Sequence, residues 1–312
     1  MKGKVLVVAG PTASGKTSLG VRLAKALDGE IVSADSMQVY RGMPIATAQP
    51  TEAEKEGVAH HLMGFLSPDA PFSVAKYQAL AFQCIKDILS RGKVPILLGG
   101  TGLYIDAVVN NTQYLDGSGT PRRKTLEAQL AEEGAQAMLE RLRKIDPETA
   151  KMLHINDTKR ILRALELYEA TGMTMSKQRE LSHTQESPYA FCKFLLCAKD
   201  RQVLYERINR RVDQMLSDGL LEEAKTFFAL KNAATSKQVI GYKELYPYLN
   251  GECTLEQAVE KLKMETRRYC KRQLTWFRKS ADYIRLEIDT LSPEELFLAA
   301  KRQSQLFLGE KL

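Results

Sequence analysis

From Lys4 to Ala9 the chain is β-rich and apolar enough to predict a strand buried on both faces, ending at Gly10. Leu19, Leu23 and Leu27 then recur every fourth residue. That spacing predicts a helix from about Lys16, closed by Asp28-Gly29 and followed by a short strand over Glu30 to Ser33. After a polar, proline-containing loop to Pro50, Val74 to Leu89 has helical periodicity, and Val94 to Leu98 reads as another buried strand before Gly99-Gly100. The order predicts parallel strands joined by crossover helices.

The pattern changes near Asn110. NNTQYLDGSGTPRRK is turn-rich, and the chain to about Ser187 is helical, with Leu126, Leu130, Met138 and Leu142 as apolar positions. Strand character returns over Phe191 to Ala198, and long helices complete the chain. The expected fold is α/β, a parallel sheet core flanked by helices, interrupted by an all-helical insertion domain. The expected boundaries are 1–112 and 190–312 for the core and 113–189 for the insert.

Composition narrows the class. With 312 residues, 44% hydrophobic and 27% charged, the chain can bury a core and has no disorder signature. No stretch has the length and apolarity of a membrane span, and MKGKVLVVAG reaches glycine too soon for a signal peptide, so a cytosolic protein is expected, and a monomer. Cys84, Cys192, Cys197, Cys253 and Cys270 lack the close pairing of zinc sites, so they read as reduced thiols, mostly in the core. A net charge of +7 suits a polyanionic partner without requiring one.

The most specific chemistry lies in GPTASGKT, Gly10 to Thr17, which matches G-x-x-x-x-G-K-T between a strand and a helix. In such a P-loop, NTPase-like cradle, Gly10, Pro11, Thr12, Ala13, Ser14 and Gly15 turn backbone N–H groups inward. Lys16 reaches the terminal phosphate, and Thr17 can ligate Mg2+. The motif implies a bound diphosphate or triphosphate but does not say which. The acidic residue that an NTPase carries at the end of a later strand is missing from VPILLGG. Asp35 instead follows the second strand, where ligands of open α/β sheets sit. By residue type alone it could be a base, a magnesium ligand or a cap. The adjacent His60 and His61 point apart on any regular element and read as structural.

GPTASGKT, ADSMQVYRGMPIATAQP, LLGGTGLYI at 97–105 and NDTKRILRALE at 156–166 together resemble the bacterial tRNA dimethylallyltransferases, and the likeness covers nearly the whole chain. Pro44-Ile45-Ala46 departs from the Asp-Ile-Gly of many members, with no evident chemical consequence. The resemblance implies that the cradle holds dimethylallyl diphosphate rather than ATP. The diphosphate would leave an allylic carbon as the exocyclic amine (N6) of the adenosine beside the anticodon, position 37 in tRNA numbering, attacks. Asp35 would be the general base. Asp35, Ser36, Met37 and Gln38 would touch the substrate nucleotide, and Thr101 would lie beside the reacting groups unless it only caps a helix. Arg123 would reach diphosphate or tRNA unless it is a solvated charge in the run Arg122 to Lys124.

The same likeness gives tRNA contacts to Lys159, Arg160, Ile161, Leu162 and Arg163, and to Lys237, Gln238, Gly241 and Tyr242. In the first of these segments Asp157 can cap a helix whose Ile161, Leu165 and Tyr168 face inward, gathering Lys159, Arg160 and Arg163 on another face. A second basic stretch runs from Glu265 to Lys279. There Leu262, Tyr269 and Trp276 recur every seventh residue as core positions, leaving Arg267, Arg268, Lys271, Arg272, Arg278 and Lys279 outside. Either patch could also be an ordinary solvated face. Two alternative activities remain open by residue type: a P-loop small-molecule kinase, and a prenyltransferase acting on free adenine nucleotides.

Overall fold

The computed structural model describes residues 2–114, 121–182, 186–229 and 239–309 and contains two more strands than the apolar runs predict. The chain begins β1 (Gly3–Ala9), α1 (Lys16–Ala26), β2 (Gly29–Ser33), α2 (Glu52–Lys55), β3 (His60–His61), α3 (Val74–Ser90), β4 (Val94–Gly99) and α4 (Gly102–Val109). Four helices follow: α5 (Pro121–Ile145), α6 (Pro147–Met152), α7 (Thr158–Thr171) and α8 (Met175–Ser182). The chain then forms β5 (Tyr189–Cys197), α9 (Arg201–Ser217), α10 (Leu220–Ala229), α11 (Tyr242–Leu249), α12 (Leu255–Phe277), β6 (Ile284–Glu287) and α13 (Pro293–Leu308).

The sheet order is β3-β2-β4-β1-β5-β6, and every pairing is parallel. Central β1 pairs β4 and β5, which explains why Val5 to Ala9 has no solvent-accessible surface and no polar alternation. β3 has two residues and β6 four, both on edges, where a neighbour's hydrogen bonds rather than their own apolarity make them strands. This is the P-loop NTPase-like α/β core expected from the sequence, with helices packed on the sheet.

The chain divides into two compact units. One comprises Met1–Phe72, Ala79–Ile105 and Pro188–Leu312; the other comprises Ser73–Gln78 and Asp106–Ser187. Among its described residues the second unit is helical, with a core of Leu126, Met138, Leu142, Ile161, Leu162 and Leu165. Gly134 breaks α5 with φ of 80° and ψ of 166°, a bend that apolar spacing does not reveal. Buried Asp146 ties this unit together by accepting from the Thr149 and Ser176 N–H groups at 3.1 and 3.0 Å. Only Cys192 and Cys270 are buried, so the thiols are less of a core set than expected; all five are free. Among the described residues no helix is long and apolar enough to cross a membrane.

The two histidines do sit in structural positions. His60 Nδ1 lies 2.9 Å from the Val58 carbonyl, and His61 Nε2 lies 2.8 Å from buried Glu30. The Glu30 carboxylate also accepts from both Arg91 terminal nitrogens, at 2.5 and 2.7 Å, with Lys93 at 3.4 Å. The Arg91 guanidinium, helped by His61, holds the Glu30 carboxyl down to about 2. A carboxylate with a depressed folded pKa stabilises the fold above its unfolded value and loses that contribution as the pH falls toward the folded value. Glu30→Gln should therefore cost about 1 to 2 kcal/mol in urea unfolding at neutral pH. The deficit relative to the parent should shrink as the pH falls from about 4.5 toward 2; a deficit constant over that range would show that the charge is not what Glu30 contributes.

Candidate active site

The cradle is built by close approach. At Gly10, where β1 ends beside β5, an added Cβ would lie 2.7 Å from the Leu196 carbonyl oxygen, so only glycine lets the chain turn there. Ala13 and Gly15 take left-handed conformations, with φ of 61° and 89°, and α1 starts without a side-chain cap. Its first-turn N–H groups are thereby left for a ligand, at the positive end of the helix dipole. Thr12 N–H instead donates to Gln273 Oε1 at 2.8 Å. The Ser14 hydroxyl is buried with no hydrogen-bond partner among the described residues.

The second wall comes from the turn after β4. The Gln273 side-chain N–H donates to the Gly100 carbonyl at 2.8 Å, and a Cβ on Gly100 would overlap that amide. A Cβ on Gly102 would overlap the Trp276 indole. GGTG is thus a seat for α12, which lies across the cradle and the turn. This corrects the heptad reading of α12: its buried face carries Ala258, Leu262, Cys270, Gln273 and Phe277, while Trp276 is 38% exposed and Tyr269 lines a cavity.

That cavity has a volume of about 340 Å³ and lies beyond the carboxyl ends of β1, β2 and β4. Thr12, Lys16 and Thr17 reach it from the cradle; Asp35, Ser36, Met37 and Gln38 reach it from the loop after β2. Asp35 Oδ1 accepts from the Met37 and Gln38 N–H groups at 2.9 and 3.3 Å, so the carboxylate does cap its own turn. Its Oδ2 has no protein hydrogen bond among the described residues, so the cap and a second role are compatible. Thr101 does not line the cavity. Its hydroxyl accepts from the Ser36 N–H at 3.0 Å, tying the glycine turn to the Asp35 loop.

Further along this loop, the Gln38 side-chain amide donates to the Thr47 and Ala48 carbonyls at 3.2 and 3.1 Å. The Ile45 and Ala46 N–H groups donate to the Glu223 carboxylate at 2.9 and 2.8 Å. Glu223 holds backbone groups here, which is why the departure at Pro44 and Ala46 leaves its grip intact. Tyr40 is a packing residue, 2% exposed.

Among the described residues four cations and one carboxylate line the cavity: Lys16, Arg211, Lys243 and Arg272 against Asp35. Lys16 Nζ donates to the Pro11 carbonyl at 2.6 Å. Burial, with the Arg211 guanidinium nearby, pulls the Lys16 ammonium down to about 8, against the attraction of Asp35 and Cys270. Burial also lowers Arg211, opposed by Glu54 and Asp35. Burial and Asp35 push the Tyr269 phenol well above its ordinary value. Arg211, Tyr269 and Gln273 were not anticipated from the sequence. Arg211 sits in a charged helix without a motif, and Tyr269 and Gln273 were obscured by the heptad reading.

The remaining sequence-derived positions divide by burial. Gly241 lines the cavity, but Tyr242 has no exposed surface: its ring stacks on Phe227 at 5.0 Å and its hydroxyl donates to Glu223 at 2.8 Å. Lys237 and Gln238 lie outside the described residues. In the second unit Ile161 and Leu162 are 1% and 2% exposed and serve its core, leaving Lys159, Arg160 and Arg163 as the outward positions. Asp157 stands at the N-cap of α7 but its side chain makes no capping bond, and Tyr168, expected inside, is 38% exposed. Arg163 is held by buried Glu166 at 3.1 Å, and Arg123 Nε donates to Glu127 at 2.8 Å.

Residues 38–280 match the family model described as IPP transferase, and residues 3–64 match one described as isopentenyl transferase. A protein of Caldanaerobacter subterraneus named tRNA dimethylallyltransferase is 46% identical over 286 residues, covering 90% of each chain. One of the same name from Bacillus velezensis is 49% identical over 280 residues, 89% of this chain and 88% of that protein. The solved full-length tRNA isopentenylpyrophosphate transferase of Bacillus halodurans superposes with a TM-score of 0.71 at 44% identity, covering 98% and 99% of the two chains. A eukaryotic dimethylallyltransferase acting on tRNA gives 0.84 at 28% identity, covering 99% of this chain and 81% of that one. Identity of this order across nine-tenths of both chains leaves one assignment: the chain belongs to the IPP transferase family, whose members carry the name tRNA dimethylallyltransferase.

Proposed function

We propose that this protein transfers a dimethylallyl group from dimethylallyl diphosphate to N6 of the adenosine 3′-adjacent to the anticodon, position 37 of tRNA, releasing diphosphate. The observation that carries the reading is the pairing of a phosphate cradle with a single carboxylate, Asp35, in one cation-lined cavity. The N6 lone pair forms the bond to the allylic carbon as the carbon–oxygen bond to diphosphate breaks, and the amine's proton passes to Asp35 Oδ2. A carboxylate is suited to that task because the adenine amine is weakly nucleophilic until a hydrogen is accepted from it. Lys16 leaves the Pro11 carbonyl to hold the departing oxygens, with Arg211 and Arg272 adding charge.

The residues also fit Mg2+. Among those described, no group of three His, Cys, Asp or Glu could cage a metal, but magnesium commonly takes one or two protein oxygens and completes its shell with phosphate and water. Thr17, lining the cavity, is the protein ligand in this reading. When bound, the ion would neutralise charge on the leaving diphosphate. The tRNA backbone is assigned to Lys159, Arg160 and Arg163, and Arg123 to diphosphate or tRNA once it leaves Glu127. Offering labelled dimethylallyl diphosphate and ATP in parallel, with tRNA and AMP as acceptors, tests the whole reading. Prenyl transfer to AMP in preference to tRNA, or ATP hydrolysis in its place, would overturn it.

Asp35→Asn keeps the Oδ1 turn contacts and removes the proton acceptor. Its single-turnover rate should drop about 10² to 10⁴-fold while both substrates still bind. Rescue by excess magnesium would instead make Asp35 a metal ligand.

The depressed Lys16 pKa supplies a pH test. A bound diphosphate favours the ammonium, so binding above about pH 8 must take up a proton, and affinity should fall about tenfold or less per pH unit beyond that point. Calorimetry in two buffers of different ionisation enthalpy reads the proton directly. Lys16→Arg should flatten the profile, because a guanidinium stays charged; a parent affinity independent of pH would exclude Lys16 as the titrating contact.

A further inference from the structure

The basic stretch on α12 does not form one surface. Thr266, Tyr269, Arg272 and Gln273 line the cavity already described, whereas Lys271, Leu274, Thr275 and Arg278 line a second one of about 540 Å³. The helix is therefore a partition between two concavities. The second lies at the carboxyl ends of β5 and β6, the side of a parallel sheet on which ligands gather.

Its chemistry is one-sided. Lys199, Arg201, Lys271, Arg278 and Arg285 converge on it with one carboxylate, Glu287. That carboxylate is already paired with Lys199 at 3.1 Å. Arg201, Lys271, Arg278 and Arg285 are exposed and have no ion pair among the described residues. Elsewhere on α12, by contrast, Arg268 pairs with Glu265 at 2.6 Å, Lys263 pairs with Asp213 at 2.7 Å, and Arg267 donates to Asn209 at 2.7 Å. Four cations with no ion pair among the described residues thus face this concavity, around an apolar floor of Phe277, Leu274 and the half-buried Tyr205 ring. Guanidinium and ammonium groups above an apolar, aromatic floor match a sugar-phosphate unit, with phosphate oxygens on the cations and a ribose or base face on the ring.

We infer that this second cavity is a phosphate-binding subsite for the backbone of the substrate RNA, separate from the reacting base and from the cradle. The inference rests on the tRNA-directed reading of the protein. It places no residue in the chemistry, so its signature is in RNA affinity and salt dependence.

The experiment measures tRNA affinity against salt for the parent, for Lys271→Ala/Arg278→Ala and for Arg201→Ala/Arg285→Ala. A third double variant, Lys301→Ala/Arg302→Ala on α13, removes equal charge elsewhere. Two lost phosphate contacts should reduce the slope of log affinity against log salt by about 1.4 to 1.8 in each cavity variant. The α13 variant should change it little. The KM for tRNA should rise in the cavity variants while kcat at saturating tRNA and the KM for dimethylallyl diphosphate stay at parent values. Unaltered slopes in both cavity variants, or an equal change in the α13 variant, would overturn the subsite. So would a cavity variant that loses affinity for AMP or inorganic diphosphate while binding tRNA as the parent does, since the occupant would then be a small anion. A parent protein that neither binds nor prenylates tRNA would instead defeat the underlying functional reading.

Discussion

The Gln273 side-chain amide closes two backbone gaps at once: its oxygen takes the Thr12 N–H of the cradle and its nitrogen satisfies the Gly100 carbonyl of the turn after β4, both at 2.8 Å. Thr12 lies within the P-loop and Gly100 far along the chain after β4, and it is the Gln273 amide that satisfies a backbone group of each. The amide is 6% exposed, so each bond is made in an environment where losing it strands a buried donor or acceptor. The rest follows from this seat. With α12 held down, Tyr269 and Arg272 reach the cavity, and no room remains for a Cβ on Gly100.

In the function proposed above, a fold common among nucleotide-hydrolysing proteins serves a different displacement. The cradle and Lys16 are arranged for charge on phosphate oxygens, which suits a leaving diphosphate as well as a transferred phosphoryl group. The difference lies opposite the cradle, where one carboxylate stands in a loop whose N–H groups donate to Thr101 and Glu223 and whose carbonyls accept from the Gln38 amide. Among the described residues four lining cations face Asp35, and burial first, then the nearby Arg211 guanidinium, lowers the Lys16 ammonium. α12 carries the same logic to its other face, where cations without acidic partners surround the second concavity.

Much of this is legible in the sequence alone. The Gly10 to Thr17 cradle, the alternation of buried strands with amphipathic helices and the helical insert are local patterns, written in spacing that a strand or helix imposes on its own residues. Asp35 was legible because the end of a parallel strand is where such sheets place ligands. The family motifs then named the chemistry that the cradle alone left open.

Tertiary structure decided what depends on a distant partner. The edge strands β3 and β6 exist through pairing with β2 and β5, and apolar periodicity does not reveal a two- or four-residue ladder. Thr101 and Tyr242 turned inward because Ser36 and Glu223 stand where their hydroxyls can reach. The α12 heptad failed because a helix seated on two loops buries whichever face those loops meet, here Gln273 and Phe277 rather than Trp276. Arg211 joined the site from a helix with no motif at all. The sequence by itself determined the sheet, the phosphate cradle and the residue types available for chemistry, because those are set by neighbours in the chain. Which charges remain unpaired, and which concavity they face, was decided only by folding, because ion pairs and cavities are made between segments that the chain brings together across hundreds of positions.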